Sequence, residues 1–349
     1  MIIRPRIMPV TINMPAPKVG IAGSINVSMR NRDGRRVPVR IDRTKRTFQR
    51  VWDHRQSNLI TDAGLDSIGT EGNFDHLVQF IAVGTGSGAP ATTDTALGAE
   101  VARTNASLSL TDDVFSFPST GLQRFVRGVA FDFGAANGNL TEFGGFLAAS
   151  GGSTLTRELF RDELGDPVVI TKTSDVQLVL DYTLDLSFGP TTMTAQTPIT
   201  IAGIGDFDID LMFYQAGFND DFVSYAMMGT WDELRILPVQ TVGTTYASSS
   251  GGTTYGSTRA GVASPASDGP GSNQSIEDYV GGSYERGFTT LSPAGTSDLT
   301  LGGFVLQKYG SVVAQRYAAC GFRFSDPASL VQDKDYRLTL NAKLTWGRA

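Results

Sequence analysis

The residues most able to do chemistry in this chain begin with a glycine-rich loop. The stretch FIAVGTGSGAP, residues 80–90, places an apolar run directly before three closely spaced glycines, as in a strand that enters a phosphate-binding loop. Such a loop must continue into a helix whose N terminus holds the phosphates, but residues 89–94 are turn-forming and lack an apolar helical stripe. No lysine lies near for a Walker-type loop. We therefore predict no nucleotide and no cofactor, and glycines that supply positive φ between strands.

Three alternating aspartates suggest a calcium loop at first sight. They are Asp206, Asp208 and Asp210, but the EF-hand pattern requires Gly and Glu where this chain has Leu211 and Gly217. The alternation with apolar residues instead favours a strand with one acidic, solvated face.

The chain has few residues suited to catalysis or to zinc. His54 and His76 are its only histidines and Cys320 is its only cysteine. The chain therefore has few residues from which a zinc triad or a Cys-His or Ser-His-Asp catalytic site could be built. The 35 acidic residues could supply a pair of glycosidase carboxylates, but none sits in a recognisable setting. We predict no metal site and no enzymatic activity.

Charge is distributed unevenly along the chain. Residues 1–50 hold 12 basic and two acidic residues, whereas the other 299 residues hold 17 basic and 33 acidic ones. The segment lacks the regular basic helix and the interleaved aromatic residues of a segment that binds nucleic acid. We therefore predict an extended basic arm that docks on an acidic neighbouring protein. The alternative is a solvated tail. The predicted contacts are Arg4, Arg6, Arg30, Arg32, Arg35, Arg36 and Arg40.

Composition and an internal repeat predict the elements that hold these residues. Only 18% of residues are charged and 40 are glycine, which is typical of an all-β chain with many short strands. LTEFGGFLAASGGSTLTRELF, residues 140–160, resembles LTLGGFVLQKYGSVVAQRYAA, residues 299–319, and each reads as a strand, a Gly-Gly-Phe turn and further strands. Gly145 and Gly303 are 158 positions apart, as are Gly189 and Gly347.

We therefore predict two tandem homologous domains, each a β-sandwich or a barrel-like fold with one short helix, behind the extended basic arm. The predicted boundaries are 1–50 for the arm, 51–190 for the first module, 191–206 for a linker and 207–349 for the second module. In the first module the helix is expected over 57–69, capped by Ser57 or Asn58, and the alternation of residues 177–188 predicts a half-buried strand. The helix of the second module is expected over 218–230.

A long loop of low complexity, residues 244–275, is a second candidate contact surface. Its functional interpretation is a surface that touches a receptor, a glycan or a neighbouring subunit, and an insertion without a role is the alternative. The aromatic candidates in and beside it are Tyr246, Tyr255, Tyr279 and Tyr284.

Several motifs carry a resemblance to a known family. These are the Asn-Leu-Ile-Thr-x-Ala-Gly-Leu segment from residue 58, the Ala-Val-Gly-Thr-Gly loop with its Asp-Thr-Ala-Leu continuation, and Glu-Phe-Gly at 142–144. Over residues 50–190 the chain resembles a module of tailed-bacteriophage virion proteins of the tail fibre, collar, neck or baseplate. The resemblance implies assembly through surface contact and brings no catalytic residues with it.

The resulting prediction is a non-enzymatic virion structural protein of the tail, collar or neck, or fibre-attachment region. Its expected partners are other virion proteins, such as a tail, neck or portal surface, and further copies of itself as a trimer or higher oligomer. Nucleic acid is not an expected partner. A membrane is not expected either, since no run of 18 apolar residues occurs. Assembly is expected in the cytoplasm of the host bacterium. The alternatives are a receptor- or carbohydrate-binding tail fibre module and a capsid decoration protein.

Overall fold

The computed structural model confirms the all-β prediction, since 60% of the described residues lie in strands and 6% in helices. By its internal contacts the chain divides into a first unit, Gly20–Ser187 with Gly347–Ala349, and a second unit, Met1–Val19 with Phe188–Trp346. The described residues are 8–16, 18–43, 48–71, 74–106, 114–119, 121–190, 194–196, 198–201, 204–213, 234–239, 274–292, 299–300, 303–309, 316–325, 331–332 and 336–349.

The elements up to the end of the first unit are mostly short strands. They are β1 (Met8–Asn13), β2 (Lys18–Asn31), β3 (Arg36–Val37), β4 (Val39–Arg43), β5 (Phe48–Val51), β6 (His54–Ile60), α1 (Asp62–Glu71), a 3-10 turn (Asp75–Val78), β7 (Phe80–Gly84), β8 (Glu100–Thr104), β9 (Val114–Ser119), β10 (Leu122–Phe131), β11 (Gly138–Leu140), β12 (Glu142–Phe146), β13 (Thr154–Leu159), β14 (Val168–Lys172) and β15 (Val176–Gly189).

An antiparallel run of strands in the order β6-β13-β12-β7-β8 positions the glycine loop in the first unit. Every residue of β12 is buried, including Gly144 and Gly145. The predicted Gly-Gly-Phe turn is therefore wrong here, because both glycines lie within one strand. A Cβ at Gly145 would collide with the backbone oxygen of Leu77, so glycine lets the 3-10 turn pack directly on the strand.

The long strand β15 confirms the predicted alternation. It pairs with β10 in antiparallel fashion, with Leu180 opposite Val129. Its core-facing residues are all buried: Leu178, Leu180, Tyr182, Leu184, Leu186 and Phe188.

The short helix begins later than predicted. Ser57 and Asn58 lie in β6, and α1 starts at Asp62. Its cap is Thr61, whose Oγ1 accepts a hydrogen bond from the Gly64 backbone N–H at 3.0 Å and donates one to the Thr154 backbone oxygen at 2.8 Å. Residues 54–60 extend because they pair with β2 and β13, and this tertiary pairing overrides the local helical pattern.

A second antiparallel sheet of the first unit has the order β11-β14-β4-β5. Ile41 of β4 lies opposite Ile170 of β14 on one side and opposite Gln49 of β5 on the other. Residues upstream of position 51 thus form part of the first unit.

The second unit contains the remaining strands. They are β16 (Thr194–Ala195), β17 (Ile199–Ile201), β18 (Gly205–Phe207), β19 (Ile209–Phe213), β20 (Leu234–Val239), β21 (Gln274–Ile276), β22 (Glu285–Ser292), β23 (Leu299–Thr300), β24 (Gly303–Tyr309), β25 (Arg316–Phe324), β26 (Val331–Gln332) and β27 (Tyr336–Arg348). One sheet has the order β16-β19-β25-β24-β20, and β27 pairs antiparallel with β22 and parallel with β1. The predicted helix at 218–230 lies outside the described residues.

Both units contain a run of strands with the same order. The run β6-β13-β12-β7 in the first unit matches β19-β25-β24-β20 in the second, with every pairing antiparallel. Register agrees as well, because Gly145 lies opposite Ile81 and Gly303 lies opposite Val239, and each residue of the second pair is 158 positions after its counterpart in the first.

A hairpin recurs at the same offset. Ile41 lies opposite Gln49 in β4–β5, and Ile199 lies opposite Phe207 in β17–β18, again 158 positions on. The second hairpin lies almost entirely within residues 191–206, the segment predicted to be a linker. The described part of that segment therefore contains strands.

The predicted arm, residues 1–50, also differs from the structure over its described residues. Residues 18–31 pair with β6, and residues 39–43 and 48–51 form the β4–β5 hairpin. This part of the segment is not an extension outside the fold, because its alternating apolar residues are buried in the sheets.

Candidate functional site

The backbone donors of the glycine loop surround a buried carboxylate. Glu142 on β12 lies opposite Gly84, the last residue of β7. Its Oε1 accepts hydrogen bonds from the backbone N–H of Gly86 at 2.9 Å and of Ala99 at 2.8 Å, and its Oε2 accepts one from Gly98 at 3.1 Å. The loop therefore closes around a side chain of its own unit.

A guanidinium completes this arrangement, which we call the Glu142 network (Glu142, Arg157, Asp94 and the N–H groups of Gly86, Gly98 and Ala99). Arg157 on β13 donates to Glu142 Oε2 from Nη2 at 2.9 Å and from Nε at 3.1 Å. Its Nη1 donates to Asp94 Oδ2 at 2.6 Å, and its Nη2 also reaches the Gly88 backbone oxygen at 3.1 Å. The Glu142 side chain has no exposed surface and that of Arg157 is 6% exposed.

Electrostatics keep both carboxylates of the network ionised. Burial by itself raises the pKa of Glu142, but hydrogen bonds from Ala99, Gly98 and Arg157 outweigh it and hold that pKa below its ordinary value. Burial likewise raises the pKa of Asp94, and the hydrogen bonds from the Ala91 N–H and from Arg157 lower it further than burial raises it. A turn of backbone N–H groups that could cradle a phosphate thus already holds an anion.

None of the three glycines of this loop has positive φ, which corrects the prediction, and Gly84 and Gly86 instead allow close approach of neighbouring atoms. Gly84, Gly86 and Gly88 all lie outside the positive-φ region. A Cβ at Gly86 would collide with Glu142 Oε1, whereas one at Gly88 would have no atom within 4 Å. Gly86 therefore makes room for the Glu142 carboxylate.

The sequence analysis missed the Glu142 network. Two features of the sequence could have indicated it. Glu142 is an acidic residue in an otherwise apolar strand, and Arg157 is the one arginine in the strand that follows. At the 158-residue offset Glu142 corresponds to Thr300, and the glycine spacing is also lost in the second half. Glu142 and Gly86 are thus both replaced in the second half, by Thr300 and Thr244, whereas Gly98 corresponds to Gly256.

Neither histidine nor the aspartate series forms a metal site in the part of the chain that the structure describes. His54 is buried, which lowers its pKa, although hydrogen bonds with Arg161 and Gln56 oppose the shift. Asp206 and Asp208 are exposed, and Asp210 forms an ion pair with Arg323 at 2.7 Å. The acidic strand face is interrupted at Asp208, between β18 and β19.

One buried lysine also fills a structural role. Burial lowers the pKa of Lys172, a shift that is common at functional sites. Its Nζ donates to the Asp132 backbone oxygen and to Asn137 Oδ1, both at 2.9 Å, and so it braces the turn after β10. The ammonium is directed inward at protein oxygens.

The predicted arginine contacts lie on two neighbouring hairpins of the first unit. We call these the basic hairpins: β2–β3, with its turn at residues 32–35, and β4–β5. They carry Arg30, Arg32, Arg35, Arg36 and Arg40, together with Arg43 and Arg50. Arg4 and Arg6 lie outside the described residues.

Two pairs of arginines face each other across these hairpins. Arg30 lies opposite Arg36, and Arg40 lies opposite Arg50. Like charges directly opposite on a sheet are destabilising. Asp53 lies beside Arg36, Asp42 Oδ1 is 3.2 Å from Arg40 Nε, and Asp181 interacts electrostatically with Arg30 and Arg36.

The remaining hairpin arginines differ in their surroundings. Arg32 donates to the Ser174 backbone oxygen at 3.1 Å and lies over the Phe133 ring. The side chains of Arg35 and Arg50 are exposed and form no ion pair with a described residue. Trp52, just after β5, is 59% exposed. Exposed arginine and tryptophan are the residue types that most often anchor protein interfaces.

The tyrosine candidates separate into two groups. Tyr246 and Tyr255 lie outside the described residues. Tyr279 is half-buried and stacks on the buried ring of Trp346 with centroids 5.6 Å apart, and Tyr284 is also half-buried. The two described tyrosines thus contribute to packing in the second unit and do not form an exposed aromatic face.

Comparison with models of known protein families finds no match, and comparison with curated proteins finds no relative. Among the described residues, no helix has the length and apolar character needed to cross a membrane.

Proposed function

We propose that this chain is a non-enzymatic structural protein of a tailed-bacteriophage virion, located in the tail, collar or neck, or fibre-attachment region. In this proposal the two units are copies of one β module. The matching strand order supports the duplication, and so do the two strand pairings that recur at an offset of 158 residues. The copies would then begin upstream of position 51, because the first copy includes β4–β5 and the second includes β17–β18.

The observation that carries the proposal is the Glu142 network. The Ala-Val-Gly-Thr-Gly loop and the Glu-Phe-Gly strand are the motifs on which the phage resemblance rests, and Glu142 binds the loop to the strand with three backbone hydrogen bonds. The hydrogen-bonding groups of the loop are thus satisfied within the unit, which suits a module whose role is a rigid shape and not a reaction.

Docking would use the basic hairpins and not a detached arm. Their arginines stand on paired strands, so less conformational entropy is lost on binding than with a disordered segment. Their partner would be an acidic protein surface of the particle, as the charge difference between residues 1–50 and the rest of the chain suggests.

Location on the particle tests the proposal. Antibodies against the purified chain would be applied to particles made by the genome that encodes it, and gold-labelled antibody would be imaged by electron microscopy. We expect label at the tail, the neck or the fibre attachment. Label over the whole head would favour the decoration protein, and a chain found only outside purified particles would contradict the proposal.

A further inference from the structure

The recurring hairpins of the two units carry opposite charge. At the offset of 158 residues, Arg50 of β5 corresponds to Asp208, which directly follows β18. Residues 39–51 contain five basic residues and one acidic residue, whereas residues 197–209 contain two acidic residues and no basic one. Two surfaces that attract each other electrostatically carry opposite charges, as these two hairpins do.

Arg40 and Arg50 stand on the outward face of the β4–β5 hairpin. In β4–β5, Val39 and Ile41 are buried, and the alternate residues Arg40 and Arg50 are exposed and lie opposite each other. Two positive charges so placed repel each other; Arg40 has a hydrogen bond to Asp42, whereas Arg50 forms no ion pair with a described residue. The face therefore carries the exposed charge of Arg50.

The acidic hairpin has the complementary arrangement. Ile199 and Ile201 are buried, while Asp206 and Asp208 are exposed. Asp206 Oδ1 accepts a hydrogen bond from Thr200 Oγ1 at 2.6 Å, which orients its carboxylate and leaves its charge unpaired by any cation among the described residues.

We propose that the occupant of the β4–β5 face is the β17–β18 face of a second copy of this chain. The inference rests on the proposed structural role and names the partner of its docking surface. Because the two faces belong to different units, the contact is head-to-tail, and repeated contacts close into a ring or extend as a filament. The predicted homo-oligomer thereby acquires a defined interface.

Charge reversal tests this interface on the full chain. The basic face is reversed by R40E/R50E, the acidic face by D206R/D208R, and the matched control is D175R/D278R, which reverses two exposed aspartates elsewhere. Self-association is measured by native mass spectrometry and by light scattering after size exclusion, from about 50 mM to about 500 mM salt. Circular dichroism confirms that each variant is folded.

We expect the unaltered chain and the control to associate at low salt and to dissociate as salt rises. Each face-reversed variant is expected to weaken self-association about tenfold or more. Mixing the two variants should restore assembly with the variants alternating one to one, because every contact then joins opposite charges. A chain with all four reversals should assemble by itself again.

The four-reversal chain keeps the test decisive if a single-face variant folds poorly. Assembly of both face-reversed variants at the level of the unaltered chain would overturn the interface, and so would an unaltered chain that stays monomeric at low salt. Neither result affects the particle-labelling experiment. The interface can therefore be wrong while the proposed virion role is right, and the virion role can be wrong while the interface is right.

Discussion

Arg157 and Glu142 lie on adjacent strands, and inside the first unit the guanidinium Nη2 of one is 2.9 Å from the carboxylate Oε2 of the other. The pair is almost completely excluded from water. Because the same carboxylate also accepts three backbone N–H groups, the pair links two strands to the glycine loop between β7 and β8.

Removing the acid should destabilise the first unit strongly. The variant Glu142→Ala leaves a buried guanidinium with Asp94 as its remaining acidic partner and three backbone donors without an acceptor. We expect a loss of about 3–5 kcal/mol in the free energy of unfolding, the range for broken buried ion pairs. Urea unfolding followed by fluorescence measures it, with Glu71→Gln at an exposed position as the control. Equal unfolding midpoints for the two variants would contradict the proposed role of Glu142.

Acid should weaken the same network. The folded-state pKa of Glu142 and that of Asp94 lie below their ordinary values, so their contribution is fully present above about pH 4.3 and is lost as the pH falls through the lowered values. Urea unfolding at a series of pH values down to about pH 2.5 should show stability falling over this window. In Glu142→Gln the fall should be shallower, because one titrating group is gone. An unchanged slope would show that Glu142 does not contribute.

Two glycines two positions apart should respond differently to alanine. A Cβ at Gly86 would collide with Glu142 Oε1 and lie 2.8 Å from the Gly98 Cα, whereas Gly88 has open space around it. We expect Gly86→Ala to cost about 1–3 kcal/mol as an overpacked site and Gly88→Ala to be nearly neutral. Thermal unfolding of both variants side by side distinguishes this account from one based on loop flexibility, in which the two substitutions would act alike.

The helix cap should be Thr61 and not the residues suggested by the sequence. Thr61→Ala removes the acceptor for the Gly64 N–H and also a hydrogen bond to the Thr154 backbone oxygen. The expected cost is about 1–2 kcal/mol, with Thr61→Ser retaining most of the stability. Ser57→Ala, at an exposed strand position, should stay within about 0.5 kcal/mol. A larger loss from Ser57→Ala than from Thr61→Ala in chemical unfolding would refute the assignment.

The class of fold and several strands could be predicted from the pattern of residue types alone. Period-two alternation identified β15 correctly, because burial of one face of a strand leaves its mark on every second residue. The offset between Gly145 and Gly303 identified positions that have the same register in both units. Asp206, Asp208 and Asp210 were predicted to form one solvated strand face, but only Asp206 and Asp208 are exposed, the strand is interrupted at Asp208, and Asp210 is paired with Arg323.

The positions at which the elements begin and the contacts of the charged residues depend on pairing between segments that are distant in the chain. Residues 39–43 and 48–51 are strands of the first unit because Ile41 pairs with Ile170, more than a hundred positions away, and a local pattern does not reveal such a partner. The role of Gly86 likewise depends on Glu142, which reaches it from another strand. Long-range pairing sets both burial and electrostatics, and therefore a loop that looks like a phosphate cradle in one dimension encloses a carboxylate in three.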